Sequence, residues 1–130
     1  MAARAALCDD SRVSRRVVIV DAHAPFRASA RRLLELEGWT VVGEAAAGAS
    51  AYETVERLRP DLVLLDVALP DTSGFDVAER LGNTNSRIVL VSSRDPVDFG
   101  ARITRSGAVG FIPKDELSGA ALASLLGGTR

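Results

Sequence analysis

The sequence predicts an α/β domain in which a parallel sheet of five strands is covered by helices on both faces. Five short runs of aliphatic and β-branched residues alternate with longer amphipathic segments, which is the pattern of consecutive βα units. The apolar runs are continuous rather than alternating, as in strands that are buried on both faces. At 130 residues the chain has the length of one domain with a sizeable core.

Each predicted element follows from its local pattern. The predicted strands span 16–20, 40–45, 61–66, 87–92 and 108–112. The predicted helices span 24–38, 48–60, 73–81, 95–107 and 115–128. Gly38 and Pro60 are expected to end the first two helices. Ser73 and Asp95 are expected to cap the third and fourth helices, and Gly119 is expected to weaken the last.

Composition narrows the class of protein. The net charge of −1 gives no reason to expect that this chain binds nucleic acid or a membrane surface. Cys8 is the single cysteine and cannot form an internal disulfide, which fits a reducing compartment. No apolar run approaches the roughly 20 residues of a membrane span, and the start does not have a signal peptide's core. We therefore expect a cytoplasmic protein with a flexible tail over residues 1–15 and one domain over 16–127.

Polar side chains follow four of the predicted strands, at or just beyond the point where each strand ends. They are Asp21, Asp66, Ser92 and Lys114, and Lys114 is the only lysine of the chain. Because the carboxyl ends of parallel strands meet at one edge, where α/β sheets bind ligands, we expect these groups to lie close together. Two carboxylates with water predict a magnesium site, and a lysine with a hydroxyl predicts phosphate contacts. The set suits phosphoryl transfer, in which an aspartate can itself be the nucleophile.

Four segments of the chain, in this order and spacing, resemble the receiver domain of two-component response regulators. They are "VVIVDAHAPFR", "DLVLLDVALPDTSGFDV", "IVLVSS" and "GAVGFIPKD", and the resemblance runs from about Arg16 to Leu126. The residues of these segments most resemble those of receivers that precede LuxR-type helix-turn-helix domains. The resemblance implies a doubly wound, flavodoxin-like fold with strand order 2-1-3-4-5. No DNA-binding domain is expected within this chain itself.

The resemblance also implies a role for each site residue. Asp66 is expected to accept a phosphoryl group from a histidine kinase or phosphotransfer protein, and Ser92 and Lys114 to contact that group. Asp21, Asp66 and the backbone carbonyl of Ala68 are expected to hold Mg²⁺. The domain is then a phosphoacceptor rather than an enzyme, apart from weak self-catalysed phosphorylation and dephosphorylation.

One residue departs from the family pattern. Receivers usually have two acids at the end of the first strand, and the second commonly contacts magnesium directly. Here the second position is Ala22, whose methyl group offers no ligand. We therefore expect weak magnesium binding, with Asp21 as the remaining member of the acidic pair.

A switch surface is expected beside the site, formed by the fourth helix, fifth strand and fifth helix. Phe111 matches the family's aromatic switch position, and movement of Ser92 toward a phosphoryl group would leave space for it. The surface predicted to repack contains Val97, Ile103 and Leu117. Because family members often dimerise through this face, a homodimer is expected there.

Simpler roles stay open for the four edge residues. Asp66 could form a turn, and Asp21 could cap the following helix. Ser93 is adjacent to Ser92 and could take its role. Lys114 could be an ordinary surface lysine.

Simpler interpretations are preferred for several other residues. His23 has no second histidine or nearby cysteine to complete a zinc set, so it is interpreted as a structural loop residue. Phe111 could be simple core. Arg27, Arg31 and Arg32 form a basic stripe on the first helix, interpreted as a solvated face rather than a docking surface for an acidic partner.

Two functions from different classes remain. The first is a phosphoaccepting receiver, favoured by Asp66, Ser92 and Lys114. The second is a degenerate receiver that works as a phosphorylation-independent interaction module, favoured by Ala22. A metabolic enzyme on the same sheet class is a distant third, because no glycine-rich phosphate loop follows the first strand.

Overall fold

The structure, a computed structural model, describes residues 15–127. Residues 1–14, which contain Cys8 and most of the predicted tail, and residues 128–130 lie outside the described part. The strands are β1 (Arg16–Val20), β2 (Thr40–Ala45), β3 (Leu62–Asp66), β4 (Arg87–Ser92) and β5 (Gly110–Pro113). The α-helices are α1 (Ala24–Leu36), α2 (Gly48–Leu58), α3 (Gly74–Leu81), α4 (Arg102–Arg105) and α5 (Gly119–Leu125).

All five strands pair in parallel, in the order β2-β1-β3-β4-β5. The predicted order 2-1-3-4-5 and the doubly wound fold class are therefore confirmed. The strand order reverses beside β1, because the chain first moves outward to β2 and then returns across β1 to β3. Ligands of such sheets bind beyond the carboxyl ends at that reversal, so the topology places the candidate site there.

The three central strands carry the core. The apolar side chains of β1 and β3 from Val17 to Val20 and from Leu62 to Leu65 are fully buried. Residues on one face pack under α2 and α3, and residues on the other pack under α1 and α5. Burying one such side chain stabilises a fold by about 1.5–3 kcal/mol, so this double-sided burial explains why the strands are apolar without alternation.

The first half of the chain follows the sequence prediction closely. α1 ends at Leu36, just before Gly38, and α2 ends at Leu58, just before Pro60. Ser73 caps α3 as predicted, because its hydroxyl accepts a hydrogen bond from the Phe75 N–H at 3.0 Å. No helix in residues 15–127 is both long enough and apolar enough to cross a membrane.

The fourth helix was predicted wrongly. Residues 95–107 do not form one helix: a 3₁₀ turn at Pro96–Asp98 is followed by the four-residue α4. Gly100 separates the two at φ +58°, a left-handed conformation that a glycine adopts without steric cost and that interrupts a right-handed helix. The Asp95 side chain makes no capping hydrogen bond.

The last helix is also shorter than predicted. A 3₁₀ turn at Lys114–Glu116 follows β5, and α5 begins only at Gly119. The Ser118 hydroxyl caps α5 by accepting a hydrogen bond from the Ala121 N–H at 3.0 Å. Gly119 therefore lies at the beginning of the helix and does not interrupt it.

Gly74 allows α3 to start directly against the end of β3. A methyl group built at Gly74 overlaps the backbone carbonyl of Asp66 and lies 2.7 Å from Cα of Val67. The Gly74 N–H also donates a hydrogen bond to the Val67 carbonyl at 2.7 Å. Close approach of two backbones thus requires glycine at this position.

We predict that Gly74→Ala lowers the free energy of unfolding by at least about 2 kcal/mol, because overpacking against backbone cannot be relieved by a side-chain rotation. Urea unfolding followed by far-UV circular dichroism measures it. The matched control is Gly82→Ala at a helical φ of −61°, where we expect a change below about 1 kcal/mol. Equal effects of the two substitutions would contradict the close-approach explanation.

Candidate functional site

Three of the four predicted edge groups are in direct contact. Asp21 and Asp66 follow and end the neighbouring strands β1 and β3, and both are buried. Lys114 Nζ, just beyond β5, lies 2.6 Å from Asp21 Oδ2 and 3.5 Å from Asp66 Oδ2. The lysine is therefore an ion-pair partner of both carboxylates, and the interpretation of Lys114 as an ordinary surface residue is wrong.

The Lys114–Asp21 contact is an ion pair rather than a directed hydrogen bond. Asp21 Oδ2 is buried and accepts no hydrogen bond within residues 15–127, although Lys114 Nζ is close in distance. The ammonium group also lies 4.6 Å from the centroid of the Phe26 ring, which supports it by a cation–π interaction. One positive charge is therefore shared between two acids.

The remaining oxygens of the carboxylates are held by the loops that follow them. Asp66 Oδ1 accepts a hydrogen bond from the Ala68 N–H at 3.2 Å. Asp21 Oδ1 accepts one from the His23 N–H at 2.7 Å. His23, not Asp21, is the N-cap residue of α1, so the alternative role of Asp21 as a helix cap is not realised.

Burial raises the pKa of Asp66 above its ordinary value, and the neighbouring charge of Asp21 raises it further. Lys114 and the Ala68 N–H oppose this shift because they favour the ionised form. The carboxylate that could act as nucleophile is therefore destabilised as an anion. A bound cation or a change of Lys114 position would alter that balance.

Ser92 is buried at the end of β4, and Ser93 is exposed. The Ser92 hydroxyl accepts a hydrogen bond from the Arg94 N–H at 3.0 Å. The structure thus brings Ser92 to the same edge as the carboxylates, with its hydroxyl engaged by its own loop. Its burial favours Ser92 over Ser93 for any contact inside the site.

His23 was interpreted as a structural loop residue, but its side chain reaches the site. Its Nδ1 atom lies 3.2 Å from Asp21 Oδ1. One ligand atom each from Asp21, His23 and Asp66 lie within 4.8 Å of one another, so these residues could hold a metal ion together. The available signal in the sequence was its position two residues after Asp21, in the turn between strand and helix.

The arginine stripe of α1 is not simply a solvated face. Arg27 and Arg31 each place Nε 2.9 Å from a different carboxylate oxygen of Glu44 on β2. Arg27 Nη1 also donates a hydrogen bond to the backbone carbonyl of Asp21 at 2.6 Å. Arg27 therefore positions the turn that carries Asp21 and His23, while Arg32 stays exposed.

Phe111 lies beside a second aromatic ring that the sequence analysis missed. Phe99 has its centroid 5.6 Å from Phe111 and 5.2 Å from Phe75. Ile103 packs on the same core face as Phe111, whereas Leu117 packs on the opposite face. The surface predicted around Phe111 is therefore divided between the two faces of the sheet.

We predict that Asp66→Asn raises the free energy of unfolding at neutral pH in the absence of divalent cations, because it removes a buried negative charge. Because the pKa of Asp66 is higher in the folded protein than its ordinary value, protonation of Asp66 stabilises the wild-type fold. This stabilisation is complete below the ordinary pKa of 3.8 and is lost as pH rises through the raised value. The gain in the free energy of unfolding from Asp66→Asn should therefore be absent in acid and should increase as pH rises from 3.8 through the raised pKa of Asp66. Urea unfolding at a series of pH values measures it.

Asp71→Asn is the matched control with the opposite sign. Asp71 lies in the loop after β3 and accepts hydrogen bonds from the Gly48 and Ala49 N–H groups at 2.8 and 3.0 Å. These bonds lower its pKa, so its contribution to stability is present above the ordinary value and lost in acid. Destabilisation of both variants at neutral pH would contradict the assignment of an unfavourable charge to Asp66.

Comparison with known proteins identifies the architecture. Residues 17–125 match the model of the response regulator receiver domain. The signal receiver domain of a response regulator from Mycobacterium tuberculosis that carries the name NarL is 36% identical, covers 88% of this chain and 98% of that chain, and has a TM-score of 0.78. The BeF₃-activated N-terminal receiver domain of Klebsiella pneumoniae RstA is 30% identical, with 88% and 98% covered and a TM-score of 0.78.

Curated relatives are longer. The DNA-binding transcriptional activator EvgA of Escherichia coli is 34% identical over 101 residues, which are 76% of this chain and 50% of that protein. The chain spans about half the length of the curated relatives it matches. The family match over most of the chain, the receiver topology and the acidic edge with Lys114 agree, and the chain belongs to the receiver domains of two-component response regulators.

Proposed function

We propose that this domain, extending over residues 16–127, accepts a phosphoryl group on Asp66 from a histidine kinase or a phosphotransfer protein. The observation that carries the proposal is the placement of the Lys114 ammonium 3.5 Å from a buried Asp66 carboxylate at the ligand-binding edge of the sheet. A cytoplasmic location is part of the proposal, since such donors are expected there.

The chemistry assigned to the site is the transfer of a phosphoryl group from a histidine nitrogen of the donor to a carboxylate oxygen of Asp66. An Asp66 carboxylate oxygen attacks phosphorus, a new O–P bond forms, and the N–P bond to the donor's histidine breaks. Lys114 and Ser92 then contact the phosphoryl oxygens, as charge-assisted donors do. The domain acts as a signalling phosphoacceptor, with only weak catalysis of its own phosphorylation and dephosphorylation.

Magnesium binding is proposed to be weak. Asp21, Asp66 and the Ala68 backbone carbonyl are the groups that would hold the ion, whose charge would neutralise phosphoryl oxygens. Two buried carboxylates fit that role, but Ala22 is exposed and its side chain supplies no oxygen ligand. Lys114 already contacts Asp21 at 2.6 Å, so a cation has to compete with it.

The second candidate function is a degenerate receiver that acts as an interaction module without phosphorylation. The observation that favours it is the same ion pair, because Lys114 partly neutralises Asp21 and Asp66 without any metal. Loss of an acid at Ala22 lowers the negative charge of the site further. Both candidates use the same fold and differ in whether Asp66 is modified.

We predict that incubation with acetyl phosphate and Mg²⁺ adds one phosphoryl group to the wild type and none to Asp66→Asn, as measured by intact mass spectrometry. Asp71→Asn, which alters an exposed acid in the loop that follows β3, should incorporate phosphate like the wild type. Equal incorporation in wild type and Asp66→Asn would overturn the assignment of Asp66. Absence of incorporation in the wild type would favour the degenerate receiver.

The output surface is proposed to be formed by α4, β5 and α5, and a homodimer is proposed to use it. The Ser92 hydroxyl accepts from the Arg94 N–H, and phosphorylation would give its O–H a new acceptor, so movement of the hydroxyl toward the phosphoryl oxygens would weaken the bond from Arg94. Phe111 would then change its packing against Phe99, which lies between it and the α3 residue Phe75. The exposed Val97, 82% accessible, lies in the same segment as Phe99.

We predict that beryllofluoride with Mg²⁺ changes hydrogen–deuterium exchange in residues 96–126, because the two states differ in the contacts of Ser92 and Phe111. Asp66→Asn should show no change under the same conditions. Changes confined to α1, with residues 96–126 unaffected, would rule out this surface. Sedimentation of the same samples measures whether the proposed dimer forms.

A further inference from the structure

The one histidine of the chain contacts the acid that remains at the end of the first strand. His23 directly follows Ala22, whose exposed methyl group lies where receivers usually carry a carboxylate ligand. Its imidazole lies beside Asp21, with 3.2 Å between Nδ1 and Oδ1. Ligand atoms of Asp21, His23 and Asp66 lie within 4.8 Å of one another, so a small rotation of the exposed imidazole would bring all three within reach of one ion.

Hydrogen bonds to the turn after β1 hold the His23 imidazole beside Asp21. The His23 N–H donates to Asp21 Oδ1 at 2.7 Å, so the turn is closed on the carboxylate. The Arg27 side chain, itself paired with Glu44, fixes the Asp21 carbonyl on the other side of the same turn. The His23 side chain is 71% exposed, so its ring can rotate to share an ion with Asp21 without disturbing the core.

A positively charged group already lies at the second oxygen of Asp21, which is an independent indication that this oxygen faces a cation. The Asp21 Oδ2 atom is buried and is neutralised by the Lys114 ammonium, without a hydrogen bond of good geometry from any described residue. The Lys114 ammonium at 2.6 Å is its only close positive charge in residues 15–127, and Lys114 is also within 3.5 Å of Asp66. A divalent cation that reached Asp21 Oδ2 would displace the ammonium toward Asp66 or solvent.

We propose that this site binds a borderline first-row divalent cation such as Zn²⁺ in preference to Mg²⁺, with the His23 imidazole, Asp21 and Asp66 as its ligands. Imidazole nitrogen suits zinc, cobalt and nickel, whereas Mg²⁺ prefers oxygen and keeps its water. One histidine and two carboxylates make three protein ligands, which is the number found in open zinc sites. The inference concerns the site of the proposed function but does not require that Asp66 be phosphorylated.

A simpler explanation of the His23 contact makes a different prediction. The hydrogen bond from the His23 N–H is enough to form the turn, and the exposed ring could then be a solvated side chain without a ligand role. In that case metal binding would depend on the two carboxylates alone. The response of the imidazole nitrogens to each metal distinguishes the two explanations.

The test uses the full chain without an affinity tag and with Cys8→Ser, so that the only thiol of the sequence does not bind metal. Because His23 is the only histidine, both imidazole nitrogens are identified in a long-range ¹H–¹⁵N spectrum without further assignment. ZnCl₂ and MgCl₂ are titrated separately. We expect Zn²⁺ to shift one imidazole nitrogen strongly and Mg²⁺ to shift neither.

Calorimetry with three variants completes the test. In His23→Ala, Zn²⁺ affinity should fall about tenfold or more, while Mg²⁺ affinity stays within about twofold. Ala22→Asp should raise Mg²⁺ affinity and narrow the preference for zinc. Asp66→Asn should weaken both metals, which places them at this site.

Unshifted imidazole nitrogens at saturating Zn²⁺, or equal Zn²⁺ affinity of wild type and His23→Ala, would overturn the proposal. The exposure of His23 makes the folding of His23→Ala a small risk, and its ¹H–¹⁵N amide spectrum verifies that fold. The proposed function fails separately, through the mass of phosphorylated protein. A chain that binds zinc through His23 but takes no phosphate would uphold this inference and refute the other.

Discussion

Two carboxylates buried side by side against one ammonium group are the constraint on which this domain depends. Asp21 and Asp66 are at most 2% exposed, and their mutual repulsion would be costly in a low-dielectric edge without Lys114. The ammonium approaches Asp21 more closely than Asp66, at 2.6 Å against 3.5 Å. Asp66 therefore keeps the less satisfied charge, which agrees with the upward direction of its pKa.

The loops around the site hold these charged side chains in place. Arg27 joins the Asp21 carbonyl to Glu44 on the neighbouring strand, so the turn after β1 is held from two directions. After β3, Gly74 lets α3 begin against the Asp66 peptide, and Asp71 accepts hydrogen bonds from the start of α2. These contacts lie on different elements, and together they limit how far either carboxylate can move to avoid the other.

The side of the domain that follows β4 is built differently. There the chain forms a 3₁₀ turn, a glycine with positive φ and a four-residue helix, with the Phe99 ring directed toward Phe75 and Phe111. Short helices make few hydrogen bonds of their own and depend on such packing for stability. A segment of this kind can change its packing at a lower cost than the doubly covered strands, and it starts only a few residues beyond Ser92.

The sequence by itself determined the sheet, its strand order through the family resemblance, and the edge to which Asp21, Asp66, Ser92 and Lys114 belong. Continuous apolar runs have one stable placement, between two helical layers, and a parallel sheet then gathers all the strand ends. The sequence also indicated that Ala22 replaces an acid of the family pattern. These features depend on local pattern and on topology, which is why they could be predicted before any contact was known.

Only the tertiary structure decided which of those groups touch and which other residues join them. Sequence spacing does not reveal that Lys114 contacts Asp21 more closely than Asp66. It also does not reveal that the imidazole of His23 contacts Asp21. The shortened α4 depends on the conformation of Gly100 and on the contacts of Phe99, which come from distant elements. Hydrophobic periodicity reports which face is buried, whereas ion pairs and ring contacts depend on distances between elements that periodicity does not contain.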